Sequence, residues 1–167
     1  YQNTFIENRA EYAGAVYTNW ITISNTFVRN EASVEGGAIL GRYTTFYNNT
    51  FVDNMAPENP TGELLFIFYS IIIEGDGECG ELEIIEQRSG RRKINLLNVA
   101  CDGREPDLLL GEFDGWIVPL LAGNKAIDQY LCDDNYYEPA HDQLGTPRPQ
   151  GELCDLGAVE FVPDSPS

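Results

Sequence analysis

An eight-residue unit recurs three times near the start of the chain, and it restricts the fold more than any other feature. It reads Asn3-Thr4-Phe5-Ile6-Glu7-Asn8-Arg9-Ala10, then Asn25-Thr26-Phe27-Val28-Arg29-Asn30-Glu31-Ala32, then Asn49-Thr50-Phe51-Val52-Asp53-Asn54-Met55-Ala56. Five of the eight positions are identical and a sixth is always β-branched. The steps are 22 and 24 residues. Between the units lie Ala13-Gly14-Ala15-Val16 and Gly36-Gly37-Ala38-Ile39, followed by Ile21-Thr22-Ile23 and Thr44-Thr45-Phe46-Tyr47.

A period in the low twenties is the mark of stacked repeats in which each turn packs mainly on its neighbours. The apolar stretches are short, rich in β-branched and aromatic residues, and separated by Asn, Gly and Ala. That pattern fits short strands joined by tight corners and does not fit helices. Strands stacked at about 4.8 Å set equivalent residues above one another. Phe5, Phe27 and Phe51 are then expected to stack inside, and Asn8, Asn30 and Asn54 to form a column at a corner. An Asn column satisfies the backbone groups of a corner through side-chain amides. Ala10, Ala32 and Ala56 are expected where the chain bends with little room inside. A leucine-rich repeat shares the period but needs a Leu-x-x-Leu-x-Leu pattern that these units lack. The pattern predicts an all-β chain, a right-handed parallel β-helix (solenoid) with an irregular, disulfide-closed C-terminal cap.

The run Leu64 to Ile73 reads as two adjoining strands buried on both faces beneath the C-terminal segment, and further strands are expected at Leu82–Ile85 and Lys93–Leu97. Past Cys101 the repeat gives way to Pro, Gly and Asp. The expected division is residues 1–100 for the stacked turns and 101–167 for a cap and tail packed on the same single domain.

The chain has 167 residues, with 27 acids against 10 bases and a net charge of −17. Such a charge repels phosphate backbones and anionic lipid, which excludes nucleic acid and membrane surfaces as expected partners. The longest apolar run is about half of the roughly 20 residues a spanning helix needs, so no membrane insertion is expected. The cysteines Cys79, Cys101, Cys132 and Cys154 are spaced far from CxxC. Their even count suits two disulfides in an oxidising compartment, against a reading as four unlinked buried thiols. Four cysteines allow three pairings, of which the sequential one, Cys79–Cys101 with Cys132–Cys154, is favoured.

Four stretches of the C-terminal half follow the pattern of one known family. Ile71-Ile72-Ile73 leading to Cys79-Gly80, and Asn95-Leu96 leading to Cys101, are similar to the family's strand, Cys, "Asn-Leu" and second Cys. Asp107-Leu108-Leu109-Leu110-Gly111, Pro119-Leu120 and Ala126-Ile127-Asp128 are similar to its "Asp-Pro-Leu-Leu" and "Ser-Pro-Ala-Ile-Asp" segments. Cys132 with Asp142-Gln143-Leu144-Gly145-Thr146-Pro147-Arg148-Pro149, and then Cys154-Asp155-Leu156-Gly157-Ala158-Val159-Glu160, resemble its two closing motifs. The chain departs from the family pattern at Leu108, Asn124-Lys125 and Leu144, and the family's Gly-Gly segment is reduced to Gly115-Trp116. On these stretches the C-terminal half resembles the choice-of-anchor Q domain proteins, a family of bacterial surface and secreted proteins. The resemblance implies a pectate-lyase-like parallel β-helix, an extracellular or cell-surface location and the two sequential disulfides. Beside it stands a physical reading of the closing motif. Asp142, Arg148 and Asp155 supply opposite charges in one disulfide-closed segment, and an Arg–carboxylate fork is expected to pin that segment across the end of the stack.

The sequence offers little catalytic chemistry, and no enzyme is expected. His141 is the only histidine, and Gly-x-Ser-x-Gly, His-Glu-x-x-His and phosphate-binding glycine loops do not occur. Two acidic strips, Asp76 to Glu86 and Asp133 to Glu138, offer hard oxygen ligands for Ca²⁺, but without a spaced calcium loop they read as solvated surface. No cofactor is expected, and Ca²⁺ stays an open alternative. A polysaccharide lyase needs a basic side chain beside such ligands. Arg9, Arg29 and Arg42 are the candidates, and no acidic column stands beside the first two. Trp20, Tyr43, Tyr47, Trp116, Tyr130, Tyr136 and Tyr137 are candidate platforms for sugar or protein.

The N-terminus carries no basic-then-apolar leader and runs straight into a full repeat, so a mature or truncated chain is expected. An uncovered first turn displays backbone groups and apolar core. The expected function is therefore an extracellular structural or interaction protein. Its first turn is covered by another copy in a homo-oligomer or by a partner chain, in a cell-surface or filamentous assembly. The alternative is a C-terminal fragment of a larger polysaccharide-binding or polysaccharide-cleaving protein, or of an adhesin.

Overall fold

The computed structural model describes residues 1–41, 44–57, 66–73, 100–101, 108–132 and 140–163. The strands are β1 (Thr4–Ile6), β2 (Arg9–Tyr12), β3 (Val16–Tyr17), β4 (Ile21–Ile23), β5 (Thr26–Val28) and β6 (Glu31–Glu35). They continue with β7 (Ile39–Leu40), β8 (Thr45–Tyr47), β9 (Thr50–Val52), β10 (Phe66–Phe68), β11 (Ile71–Ile73) and β12 (Ala100–Cys101). No helix occurs among the described residues, and every strand pairing is parallel. The fold is all-β, as the repeat predicts. One sheet has five strands in the order β1-β5-β9-β11-β12, a second runs β10-β8-β4, and two pairs, β2-β6 and β3-β7, complete the set. The strands expected at 82–85 and 93–97 lie outside the described residues.

The register follows the sequence repeat. Thr4, Thr26 and Thr50 are in line, as are Phe5, Phe27 and Phe51. The Phe rings stack nearly parallel at centroid distances of 4.8 and 4.9 Å, and Phe46 meets Phe51 edge-on at 5.8 Å. Such ring pairs add about 0.5–1.5 kcal/mol each beyond the apolar area they bury. Ala38, Ile39 and Ile72 fill the space around Phe27, Phe46 and Phe51, with Phe5 partly buried at its margin.

Four strands of the five-stranded sheet are flanked by left-handed residues. Gln2, Ser24, Asn48 and Tyr69 precede β1, β5, β9 and β11, and Glu7, Arg29 and Asp53 follow β1, β5 and β9, all at φ between 50 and 55°. Side chains with a Cβ resist this conformation, at about 1 kcal/mol or more each. The corners hold because their amides stay paired: Gln2, Ser24, Glu7 and Arg29 donate N–H to the carbonyls of Ile23, Tyr47, Val28 and Val52. At β1, β5 and β9 an Asn follows each corner, and its amide bonds to the Asn one unit away, while Ser70 takes that place after Tyr69. Asn8 donates Nδ2 to Asn30 Oδ1 at 2.8 Å, and Asn30 to Asn54 Oδ1 at 2.9 Å.

The expected Asn8–Asn30–Asn54 column is thus present. A second one runs Asn3–Asn25–Asn49, at 3.3 and 3.0 Å, and ends on Ser70, whose Oγ accepts the Asn49 N–H. The tight places differ from expectation. Ala10 and Ala32 lie within paired strands, and Ala10 is exposed. The crowded bends belong to glycine: a Cβ on Gly14 would meet the Gly37 carbonyl oxygen, and one on Gly41 would overlap the Thr18 carbonyl oxygen.

Asn30 is fully buried and its side chain makes four hydrogen bonds, to the Asn8 backbone and side chain, the Phe5 carbonyl and Asn54. Asn30→Ala leaves several of these groups unpaired and is expected to cost about 2–4 kcal/mol, whereas Asn8→Ala at the exposed end of the column costs under about 1 kcal/mol. Urea unfolding of the two variants checks the contrast, and equal losses would contradict it.

A candidate assembly edge and the segment that braces it

The first repeat unit supplies one end of every sheet. β1, β2, β3 and β4 each have a neighbour on one side only among the described strands. A parallel strand directs alternate backbone groups to opposite sides, so each of these strands presents outward N–H and C=O groups that no described strand pairs. Tyr12, Tyr17 and Trp20 lie in the same unit and are 50, 65 and 80% exposed.

The C-terminal segment braces this edge from the side. The expected closure across the end of the stack is not what the segment does: it lies along the five-stranded sheet and touches successive units in turn. Gln143 accepts a hydrogen bond from Thr26 Oγ1 at 2.6 Å and donates to Thr4 Oγ1 at 2.7 Å. The N–H of Ala158 donates to Thr50 Oγ1 at 2.9 Å, and that of Gly157 to the Tyr69 carbonyl at 2.7 Å. The invariant Thr of the repeat is therefore the docking rail for the segment, with Thr26 and Thr50 almost fully buried. The sequence held the signal for this rail in a position identical in three units, yet nothing in the units alone says what lies against it. Gly157, at φ 91°, fits because an added Cβ would lie 2.7 Å from Ile71 Cδ1 and 2.9 Å from Thr50 Oγ1. Ile71, expected to be buried beneath this segment, packs with Leu120, Ala126, Tyr130, Cys154 and Leu156. Further along, the chain doubles back through a Leu110–Leu120 bridge. At its tip Asp114 Oδ1 accepts the N–H groups of Ile117 and, next in effect, Trp116, both at 2.8 Å, which holds the carboxyl below its ordinary pKa. The Trp116 carbonyl accepts the hydroxyl of Thr4 at 2.6 Å, so the tip reaches β1.

Arg148 organises the closing motif, though with different partners from those expected. Its guanidinium pairs with Glu160 and donates to the carbonyls of Asp155 and Gly157, at 2.9 and 2.8 Å. The Arg148 and Glu160 side chains are 1 and 0% exposed, so breaking the pair is expected to cost about 3–5 kcal/mol. Asp142 and Asp155 instead receive backbone amides. Asp142 takes those of Leu144, Thr146 and Glu160, and Asp155 those of Asp128 and Phe161. Glu160 is the residue that sequence reasoning missed. It stands last in the motif Cys154 to Glu160, and its burial is visible only once the segment is folded.

Cys132 and Cys154 form a disulfide with a Cα–Cα distance of 5.6 Å, as the sequential pairing requires. In the loop-entropy account this bridge contributes about 3 kcal/mol. Cys79 and the side chain of Cys101 lie outside the described residues, as do Arg42, Tyr43, Tyr136, Tyr137 and both acidic strips. Among the described residues no cluster of His, Cys, Asp and Glu is arranged to hold a metal, and no helix is long and apolar enough to cross a membrane. Arg9 and Arg29, beside which no acidic column is expected, each pair with a single acid on the neighbouring unit: Arg9 with Glu31 at 3.0 Å and Arg29 with Glu7 at 2.7 Å. These exposed pairs add at most about 1 kcal/mol. Arg29 also covers the ring of Phe113. Among the candidate platforms, Trp20 and Trp116 are exposed, while Tyr130 is buried, stacked on Tyr69 at 3.8 Å and bonded through its hydroxyl to Asn48. His141 is exposed, its backbone bridged to Pro147. Comparison of the chain with family models, curated proteins and solved structures finds no match.

Burial is the largest influence on Asp155 and Glu160 and pushes both carboxyls above their ordinary values, against the pull of Arg148 and of the backbone amides. Between the ordinary carboxylate pKa, about 4, and the raised value, the folded protein holds protons that the unfolded chain has released. The stability from these groups is therefore complete below the ordinary value and is lost as pH rises through the raised one. The expected outcome is a melting temperature that increases on acidification from about pH 7 to about pH 5. Scanning calorimetry checks it, and a steady decrease over that window would overturn the assignment.

Proposed function

We propose that this chain is a right-handed parallel β-helix that works as an extracellular structural or interaction subunit, joining a larger assembly by adding strands to its first unit. The observation that carries the reading is that, among the described strands, all four sheets end on β1–β4, so one unit supplies four edge strands at once. Edge strands pair with further strands unless charge, proline or a covering element blocks them. β1, Thr4-Phe5-Ile6, contains neither a charged residue nor proline. The disulfide supports an oxidising location, and the resemblance of the closing motifs to choice-of-anchor Q domain proteins supports a cell-surface one. A formal charge of −17 opposes association between copies, so contact between subunits strengthens as salt screens it. Sedimentation velocity across a concentration series at low and high salt is the test. The expected result is concentration-dependent association that rises with salt and is lost in Ile6→Pro at unchanged circular dichroism. A strict monomer at every concentration would overturn the reading.

The exposed Tyr12, Tyr17 and Trp20 favour a second reading, a surface that binds polysaccharide through aromatic stacking. Retardation of the protein in gels cast with acidic or neutral polysaccharides, and its loss in Trp20→Ala, are the outcomes this reading expects. Migration unaffected by any polysaccharide would remove it.

A further inference from the structure

The side-chain carboxamide of Gln143 is clamped between two rungs of the Thr rail. Thr26 Oγ1 donates to its Oε1 at 2.6 Å, and its Nε2 donates to Thr4 Oγ1 at 2.7 Å and to the Asn3 carbonyl at 3.2 Å. The Asn3 carbonyl can only accept, which fixes the end facing it as the nitrogen. The backbone of Gln143 is held as well. Its N–H donates to the Ala158 carbonyl at 2.8 Å, and the neighbouring Asp142 carboxylate takes the amides of Leu144, Thr146 and Glu160. Thr26 is fully buried and Gln143 is 5% exposed. Thr50 Oγ1 meets a backbone N–H, that of Ala158, so Thr26 is the rung that faces an electrophilic carbon. With Oγ1 against Oε1, the hydroxyl oxygen lies about 3–3.5 Å from Cδ, the separation of a near-attack pair. Groups held in this way react as if at concentrations far above any reached in solution. Burial keeps water from competing for the carbon and from hydrolysing the product.

We propose that Thr26 and Gln143 form an intramolecular ester. A turn of the carboxamide about its last side-chain bond presents the face of the carbonyl to Thr26 Oγ1. Oγ1 bonds to Cδ, the Cδ–Nε2 bond breaks, and the nitrogen leaves as ammonia carrying the proton that Oγ1 gives up. One hydroxyl and one carboxamide enter, and one ester and one ammonia result. Ammonia departs on the side of Thr4, which is the less buried of the two threonines. The bond joins positions 117 apart in sequence and makes the grip of the C-terminal segment on the second unit covalent. It forms in a monomer and in an assembly alike.

The test is the intact mass of the full chain, kept folded through a long incubation at neutral pH and only then reduced and unfolded. The expected result is a mass one ammonia below that of the sequence. Digestion is expected to give a peptide pair joined through Thr26 and Gln143, which mild alkali separates, leaving a free carboxyl on the side chain at position 143. Thr26→Val and Gln143→Glu are expected at their full sequence masses, whereas Thr26→Ser, which keeps the hydroxyl, still loses the ammonia. The wild-type mass and its peptide map decide the matter even where a variant fails to fold. A wild-type chain at its full sequence mass would overturn the proposal. So would an ammonia loss that persists in Thr26→Val, or a joined pair that maps to other residues.

Discussion

At both ends of β1, β5 and β9 the backbone passes through a left-handed residue, and an Asn follows whose amide bonds to the Asn one unit away. The other features of the stacked region depend on that contact. Six non-glycine residues at these strand ends sit in a conformation that favours glycine, and the side-chain amides, with the backbone bonds beside them, make those corners repeatable. The amide reaches only when the units are in register, so it also sets the Phe rings above one another at 4.8 and 4.9 Å. Polar corners and apolar core are therefore specified by one spacing. A slip by one residue would turn Phe27 outward and leave Asn30 buried without partners.

The C-terminal segment is held by a different logic. It lacks a repeat, and a buried charge pair surrounded by backbone donors and acceptors organises it. Arg148 gathers the carbonyls of Asp155 and Gly157, while the carboxylates of Asp142, Asp155 and Glu160 gather amides from the same loop. Irregular backbone buried against a sheet needs partners for its polar groups, and here charged side chains provide them. The Nε of Arg148 has no partner among the described residues, so the network is specific in shape without being complete.

The stacked region was legible because its physics is periodic. Identical residues at steps of 22 and 24 announce parallel strands, the Phe stack and the Asn8 column before any coordinate is known. The second column, Asn3 to Asn49, was equally visible in the repeat and went unread because strand starts and corners look alike in a single unit. The closing motif was legible as a unit but not in its wiring. Four acids, Asp142, Glu152, Asp155 and Glu160, lie within 19 residues of sequence around Arg148, and no periodicity says which of them meets it. The side on which the segment lies was hidden for a related reason. The Thr rail has meaning only when Gln143 and Ala158 come against it across more than a hundred residues.

That lateral docking alters how the molecule comes apart. A stack of similar units held only by nearest neighbours frays from its ends, one layer at a time. Here Gln143 grips the first and second layers, Ala158 the third and Gly157 the fourth, all within one short loop. The loop acts as a splint: peeling away the outermost layer also tears the splint's own bonds, so loss of structure becomes a shared event rather than a gradual one. It also works as a ruler, because inserting or deleting a whole layer would move Thr4 or Thr50 out of reach of its fixed contacts.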